Sequence, residues 1–161
     1  MSSLNIKNVM LDTSFCIRLM DKSDQLHQHA LDYFKHFLIE KITMHISAIA
    51  VAEYSVGDDP GNLPLNNLQI ETFDFLDGKT AGLFHKEIKG KKANLPNFNR
   101  RIIANDVKIL AQINNRNIDA IISKDINSFR EYVQPLSTAN LLQVKFLDLN
   151  VPLSTTLGQL F

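Results

Sequence analysis

Ala120, Ile121 and Ile122 form a short unbroken apolar run between the breaker segment Asn114-Asn115-Arg116-Asn117 and the polar stop Ser123-Lys124-Asp125. A run this short, rich in β-branched residues and without polar alternation, reads as a strand buried on both faces, the kind that parallel sheets use when helices cover both sides. Val9, Met10 and Leu11 repeat the pattern near the start and stop at Asp12, Thr13 and Ser14. Both strands thus end in an aspartate, at the sheet edge where open α/β proteins bind ligands. Each aspartate is also a good helix N-cap, which is the structural explanation for either one alone.

The segment before Ala120 reads as a helix, because Ile102, Ile103, Val107, Ile109, Leu110 and Ile113 recur at the spacing of one helical face. Asp106 lies within that stripe, roughly two turns past an N-cap expected at Asn97 or Asn99. An unpaired ionised carboxylate in an apolar site costs several kcal/mol, so a partner is expected for it. Glu53 repeats the anomaly: Ser47 supplies an N-cap, and Ile49, Ala50 and Val56 place Glu53 on an apolar face, ahead of a stop at Gly57.

The remaining elements alternate in the same way. Helical patterns cover Ile17 to Met20 and residues 24 to 41, where Leu26, Ala30, Phe34 and Phe37 share a face and His27, His29 and His36 read as surface residues. A strand from Ile42 to Ile46 has His45 as its only interior polar residue, and Leu68 to Phe75 reads as a strand at a sheet edge. A helix is expected from Gly78 to Ile88, a short one after Asp125 halted by Pro135, and a last strand from Val144 to Leu149. Leu153, Leu157, Leu160 and Phe161 keep the tail apolar, free to pack on the core or on a partner. The expected fold is a three-layer α/β/α sandwich around a mostly parallel sheet, as one domain over residues 1 to 161.

Charge narrows the partners. Seventeen basic residues balance seventeen acidic ones, so the chain lacks the global basic field of a strong non-specific nucleic-acid binder. The local exception is the stretch from Lys86 to Arg101, where Lys86, Lys89, Lys91, Lys92, Arg100 and Arg101 face one anion, Glu87; it reads as an irregular, phosphate-contacting loop. The single cysteine, Cys16, reads as core packing. With no signal-peptide pattern and no apolar run of membrane-spanning length, the expected location is cytoplasmic, with no membrane partner.

Crossover helices run antiparallel to the strands, which brings Glu53 and Asp106 toward the edge where Asp12 and Asp125 emerge. Carboxylates gathered in this way either take up protons or are neutralised by a cation. Oxygen-only donors favour Mg²⁺ or Mn²⁺ over Zn²⁺. Such a metal suits phosphoryl chemistry, with phosphodiester hydrolysis as the natural reaction, and no phosphate-binding Gly-rich loop is present to suggest nucleotide binding.

Four segments in this order, V-M-L-D-T-S at residue 9, I-S-A-I-A-V-A-E ending at Glu53, A-N-D-V-K-I-L-A-Q around Asp106 and I-I-S-K-D-I-N-S-F around Asp125, resemble the PIN-domain superfamily, and within it the VapC-type toxins of bacterial toxin–antitoxin pairs. The resemblance spans residues 9 to 129. It implies an Mg²⁺- or Mn²⁺-dependent ribonuclease with Asp12, Glu53, Asp106 and Asp125 at the acidic positions and Ser123 with Thr13 or Ser14 at the small hydroxyl positions. It further implies an RNA substrate, a frequent homodimer and inhibition by a cognate antitoxin. Asn127 stands where many relatives carry a further acid, and Lys91, Lys92, Arg100 and Arg101 are the candidate substrate-binding cations. The competing readings are a PIN nuclease of RNA processing, a non-catalytic RNA- or protein-binding scaffold, and a metal-dependent hydrolase of a small phosphorylated substrate.

Overall fold

The structure is a computed structural model that describes residues 3–91 and 102–158. Among these, five strands form one all-parallel sheet: β1 (Asn8–Leu11), β2 (Thr43–Ser47), β3 (Leu68–Glu71), β4 (Ala120–Ser123) and β5 (Lys145–Asp148), in the order β3-β2-β1-β4-β5. The helices are α1 (Thr13–Met20), α2 (His27–Ile39), α3 (Ala48–Tyr54), α4 (Phe75–Lys91), α5 (Asn105–Asn115), α6 (Ile126–Thr138) and α7 (Leu153–Gly158). The expected α/β/α sandwich is the observed architecture.

Successive strand residues point to opposite faces, and this divides the core in two. Val9 and Leu11 of β1 join Met44, Ile46, Ala120 and Ile122 in a cluster with α1, α2 and α3, against which Leu153 and Leu157 of α7 also pack. Met10, between them, belongs to a second cluster with Ile121 and the apolar faces of α4, α5 and α6. Cys16 is buried in the first cluster, and burial first, then the charge of Asp12, pushes its thiol up to about 12. No helix among the described residues is long and apolar enough to cross a membrane.

Several boundaries differ from expectation. Residues 102 to 104 are not helical and Ile102 is 68% exposed, so α5 begins only at Asn105 and Asp106 sits in its first turn. The apolar periodicity ran on past the true helix start. The third strand stops at Glu71, because Phe75 opens α4 instead of extending the edge. Helix α4 also continues through Lys89 to Lys91, which makes the first part of the basic stretch helical. Pro135 lies inside α6, which runs on to Thr138: proline removes one backbone donor, and the next turn still closes through the Ala139 N–H on the Pro135 carbonyl.

One expectation about polar residues holds and another changes. Within Ile42 to Ile46 His45 is the one buried polar residue, as expected, but β2 runs one residue further, to the fully buried Ser47. His27, His29 and His36 are partly buried, and two of them act as tethers, His27 Nδ1 donating to the Arg18 carbonyl and His29 Nδ1 to that of Leu149, both at 2.9 Å.

A polar knot fastens the β3 edge. Arg116, just past α5, donates from Nε to Glu71 Oε2 at 2.7 Å and from both terminal nitrogens to the Asp77 carboxylate at 2.8 and 2.9 Å. His45 Nδ1 lies 2.6 Å from the other Glu71 oxygen, and the Gln112 amide donates to the Glu71 and Thr72 carbonyls. Burial pushes Asp77 upward, but the Arg116 guanidinium, the Asp74 backbone N–H and Asn115 outweigh it and hold the carboxyl at about 2.

Candidate active site

Strand order reverses at β1, which has β2 on one side and β4, from much later in the chain, on the other. Helices leave neighbouring strands toward opposite faces at such a switch point, so a crevice opens beyond the carboxyl ends of β1 and β4. Asp12 and Asp125 stand on its two sides, each immediately before a helix. Neither side chain caps the helix that follows it, so the capping explanation for both aspartates fails.

Asp12 is 8% exposed and is held by two hydroxyls. Ser14 Oγ and Ser123 Oγ each donate to Asp12 Oδ2 at 2.7 Å. The same two hydroxyl oxygens accept the Lys124 N–H at 3.0 Å and the Asp125 N–H at 2.9 Å. Each hydroxyl carries one proton, and with both directed at Asp12 the 3.1 Å approach of Ser14 to Ser123 is a contact between lone pairs. The result fixes one oxygen of Asp12, ties it to the turn that carries Asp125, and leaves Oδ1 without a hydrogen bond among the described residues. Thr13 Oγ1 beside it is buried and has no hydrogen-bond partner among the described residues.

Asp106 reaches the same place from the first turn of α5. Burial raises its carboxyl to about 6, with the charges of Asp12, Glu53 and Asp125 adding to the effect in that order. That ordering puts all four sequence-predicted acids in one electrostatic neighbourhood. Glu53 is raised as well, by burial and then by Asp12. It is nevertheless exposed, on the last turn of α3, and Val56 is 90% exposed beyond the helix end, so the expected apolar face around Glu53 does not exist. Among the described residues none of the four acids forms an ion pair.

The donors are all oxygens, which suits Mg²⁺ or Mn²⁺, and the uncompensated charge together with the orphaned Thr13 hydroxyl fits a bound cation. Among the described residues no three acidic, histidine or cysteine side chains stand close enough to hold one ion together. Magnesium usually keeps several waters and takes only one or two carboxylates directly, so an arrangement with the other acids acting through water fits this geometry.

The remaining candidates are more peripheral. Asn127 is exposed, and its side-chain oxygen lies 3.4 Å from Arg130. Lys91 is exposed at the end of α4, whereas Lys92, Arg100 and Arg101 lie outside the described residues. One residue escaped the reading of the sequence. Tyr132 of α6 is partly buried, and its phenol is raised by burial and then by the charge of Asp106. The available signal was its spacing, seven residues after Asp125 and hence on the same helical face.

An all-parallel sheet in this order, sandwiched by helices, is a fold that solved VapBC and FitAB structures share. Among solved structures, the chain is similar to VapBC2 from Rickettsia felis bound to a DNA fragment from its promoter, at a TM-score of 0.60 and 20% identity over 88% of this chain and 99% of the other. It is also similar to FitAB bound to the IR36 DNA fragment, at a TM-score of 0.63 and 16% identity over 88% and 94%, and to DNA-bound VapBC from Salmonella typhimurium, at 0.54 and 17% over 88% and 98%. No family model and no curated protein matches the sequence.

Proposed function

We propose that this chain is a divalent-metal-dependent endoribonuclease that hydrolyses RNA phosphodiester bonds, acting as the toxin of a toxin–antitoxin pair. The observation that carries the proposal is the mutual electrostatic influence of Asp12, Glu53, Asp106 and Asp125, which have no cationic partner among the described residues and together with burial raise Asp106 to about 6. Purely structural acids are normally paired or exposed, and perturbed carboxyls in a cleft mark candidate sites.

In this reading Asp12 and Asp106 are the principal ligands of Mg²⁺ or Mn²⁺, with Asp125 and Glu53 completing the shell directly or through water. The bound metal supplies a water of lowered pKa and neutralises charge on the phosphate. Ser14 and Ser123 hold Asp12 in one orientation, and Thr13 contributes its hydroxyl. Lys91, with Lys92, Arg100 and Arg101, draws in the RNA backbone. The VapBC and FitAB assemblies among the structural relatives support a protein partner; that it covers the acidic crevice, and that the chain forms a homodimer, are parts of the same proposal.

The absence of a tight triad of acids among the described residues favours one competing reading, a PIN-like scaffold that binds RNA or protein without cutting. Incubation of purified protein with a mixed RNA pool in Mg²⁺ or Mn²⁺, beside EDTA controls and Asp12→Asn and Asp106→Asn proteins, separates the two. Metal-dependent cutting that both substitutions abolish supports the nuclease. Metal binding without cutting, or cutting that survives both substitutions, refutes the assigned site.

A further inference from the structure

Lys124 lies between Ser123 and Asp125, in the turn that carries the fourth acid, and its backbone is fixed on both sides. Its N–H donates to Ser14 Oγ at 3.0 Å, the same hydroxyl that holds Asp12, and its carbonyl accepts the Asn150 side-chain amide at 2.9 Å. Neither bond uses the lysine side chain. The residue is exposed, and its ammonium has no hydrogen bond or ion pair among the described residues.

Two recesses meet at this residue. One, of about 150 Å³, is lined by Asp125 and Asp148, and the other, of about 530 Å³, by Asp21 and Asp24; Lys124 and Asn150 line both. The shared walls join them into one open furrow that starts at Asp125 and passes Lys124 toward the connection between α1 and α2. The first recess is well below the roughly 300 Å³ of a small-molecule pocket, too small to enclose a nucleotide but roomy enough for one phosphate of a chain lying along the furrow. The walls are acidic, and of the four carboxylates only Asp24 has an ion pair among the described residues, with Arg18. A polyanion follows such a furrow only where a cation offsets its walls, and Lys124 is the cation that both recesses share.

We propose that Lys124 is a phosphate-binding residue of this site: its ammonium holds an RNA phosphate next to the one at the acids and directs the chain out of the crevice along the furrow. The proposal rests on the ribonuclease reading and adds to it the path of the substrate, past the end of β5 and the end of α1. A contact of this kind positions the backbone without regard to base identity. Lys124 is a substrate-positioning residue. Its removal weakens binding and leaves the hydrolytic acids in place.

The test is binding of a short mixed-sequence RNA to the full chain at fixed Ca²⁺ over a range of KCl concentrations, with the RNA checked by gel to remain intact, beside cleavage kinetics in Mg²⁺ or Mn²⁺. Lys124→Gln keeps both backbone bonds and should melt with the wild type. It should bind about 5-fold more weakly, and its plot of log affinity against log salt should be shallower by about 0.7, the share of one phosphate on a single strand. Its KM should rise while kcat stays within about 2-fold, and Lys124→Arg should restore both the slope and the KM. Lys7→Gln, beside the amino end of β1 and so at the opposite end of the sheet, should match the wild type. An unchanged slope in Lys124→Gln, or a Lys124→Arg protein no better than Lys124→Gln, overturns the role of Lys124 and leaves the nuclease intact. Failure of the wild type to bind the RNA, together with failure to cut it in Mg²⁺ or Mn²⁺, overturns both.

Discussion

Ser123, the last residue of β4, donates its hydroxyl to Asp12 Oδ2 at 2.7 Å, across the join between two strands whose ends carry the acids. The residue is fully buried, and its oxygen also receives the Asp125 N–H. Substitution Ser123→Ala removes a hydrogen bond to a charged group and leaves the Asp125 amide without its acceptor. The expected loss is about 1.5–3 kcal/mol of stability, read from urea unfolding. RNA cleavage should fall by roughly 10- to 100-fold as Asp12 loses its fixed orientation. An unchanged cleavage rate would separate the hydroxyl pair from the chemistry.

Asp106 gives the metal-free protein a pH dependence of known sign. Its carboxyl titrates at about 6 in the folded chain against the ordinary 3.8, so between these values the folded state holds more protons than the unfolded one. Stability therefore falls as pH rises through this window. Asp106→Asn should raise the melting temperature in EDTA at pH 7 by an amount equivalent to about 1–2 kcal/mol after solvent screening, and change little at pH 4. A variant less stable than wild type at pH 7 would contradict the crowding of charge.

Cation binding should reverse that penalty. Mg²⁺ or Mn²⁺ at a hundred times its dissociation constant stabilises the folded state by about 2.7 kcal/mol, seen as a higher melting temperature. The shift should be much smaller in Asp12→Asn and Asp106→Asn proteins. Equal shifts in wild type and variants would place the cation elsewhere.

Arg116 is paired with two carboxylates at once, Glu71 and the fully buried Asp77. Arg116→Met leaves both acids without their cation and should destabilise the fold by about 3–5 kcal/mol in chemical denaturation. Asp77 is held at about 2, well below its ordinary 3.8, so its contribution is present above that ordinary value and disappears as pH falls from about 4 to 2. Asp77→Asn should therefore flatten the acid limb of the stability curve. A limb unchanged in that variant would mean the ion pair contributes nothing there.

Cys16 should be silent toward thiol reagents. Its side chain is 1% exposed and its thiol is pushed up to about 12, so almost no thiolate is present at neutral pH. A colorimetric disulfide reagent should react with it only at the rate of unfolding. Rapid reaction in native buffer would show that α1 opens.

The sequence showed the layering and the edge on which the acids converge, because both follow from local patterns. Unalternated apolar runs identified the buried parallel strands, and the aspartates after Leu11 and Ile122 marked their carboxyl ends. The orientation of single side chains was harder to read. Asp106 was placed deep in a helix because Ile102 and Ile103 happen to match its period, although α5 starts after them. Glu53 was given an apolar face that ends with α3 at Tyr54. The roles of Ser14, Ser123 and Arg116 depend on partners more than a dozen residues away in most cases, and no spacing within one element reveals those. Pro135 shows the reverse: a strong local stop signal overridden by packing of α6 against the sheet.

The central position of β1, between β2 and the much later β4, also sets when the acidic edge can assemble during synthesis. Asp12 and Glu53 leave the ribosome early, but their common crevice needs β4, which begins more than a hundred residues after β1. Contacts across such a separation close a long loop and form slowly compared with local ones. A nascent chain that has not yet delivered Ala120 to Ser123 therefore carries its acids apart. Whatever activity the assembled edge has begins only once translation has passed Asp125, and this delays it until most of the polypeptide is free to meet a partner.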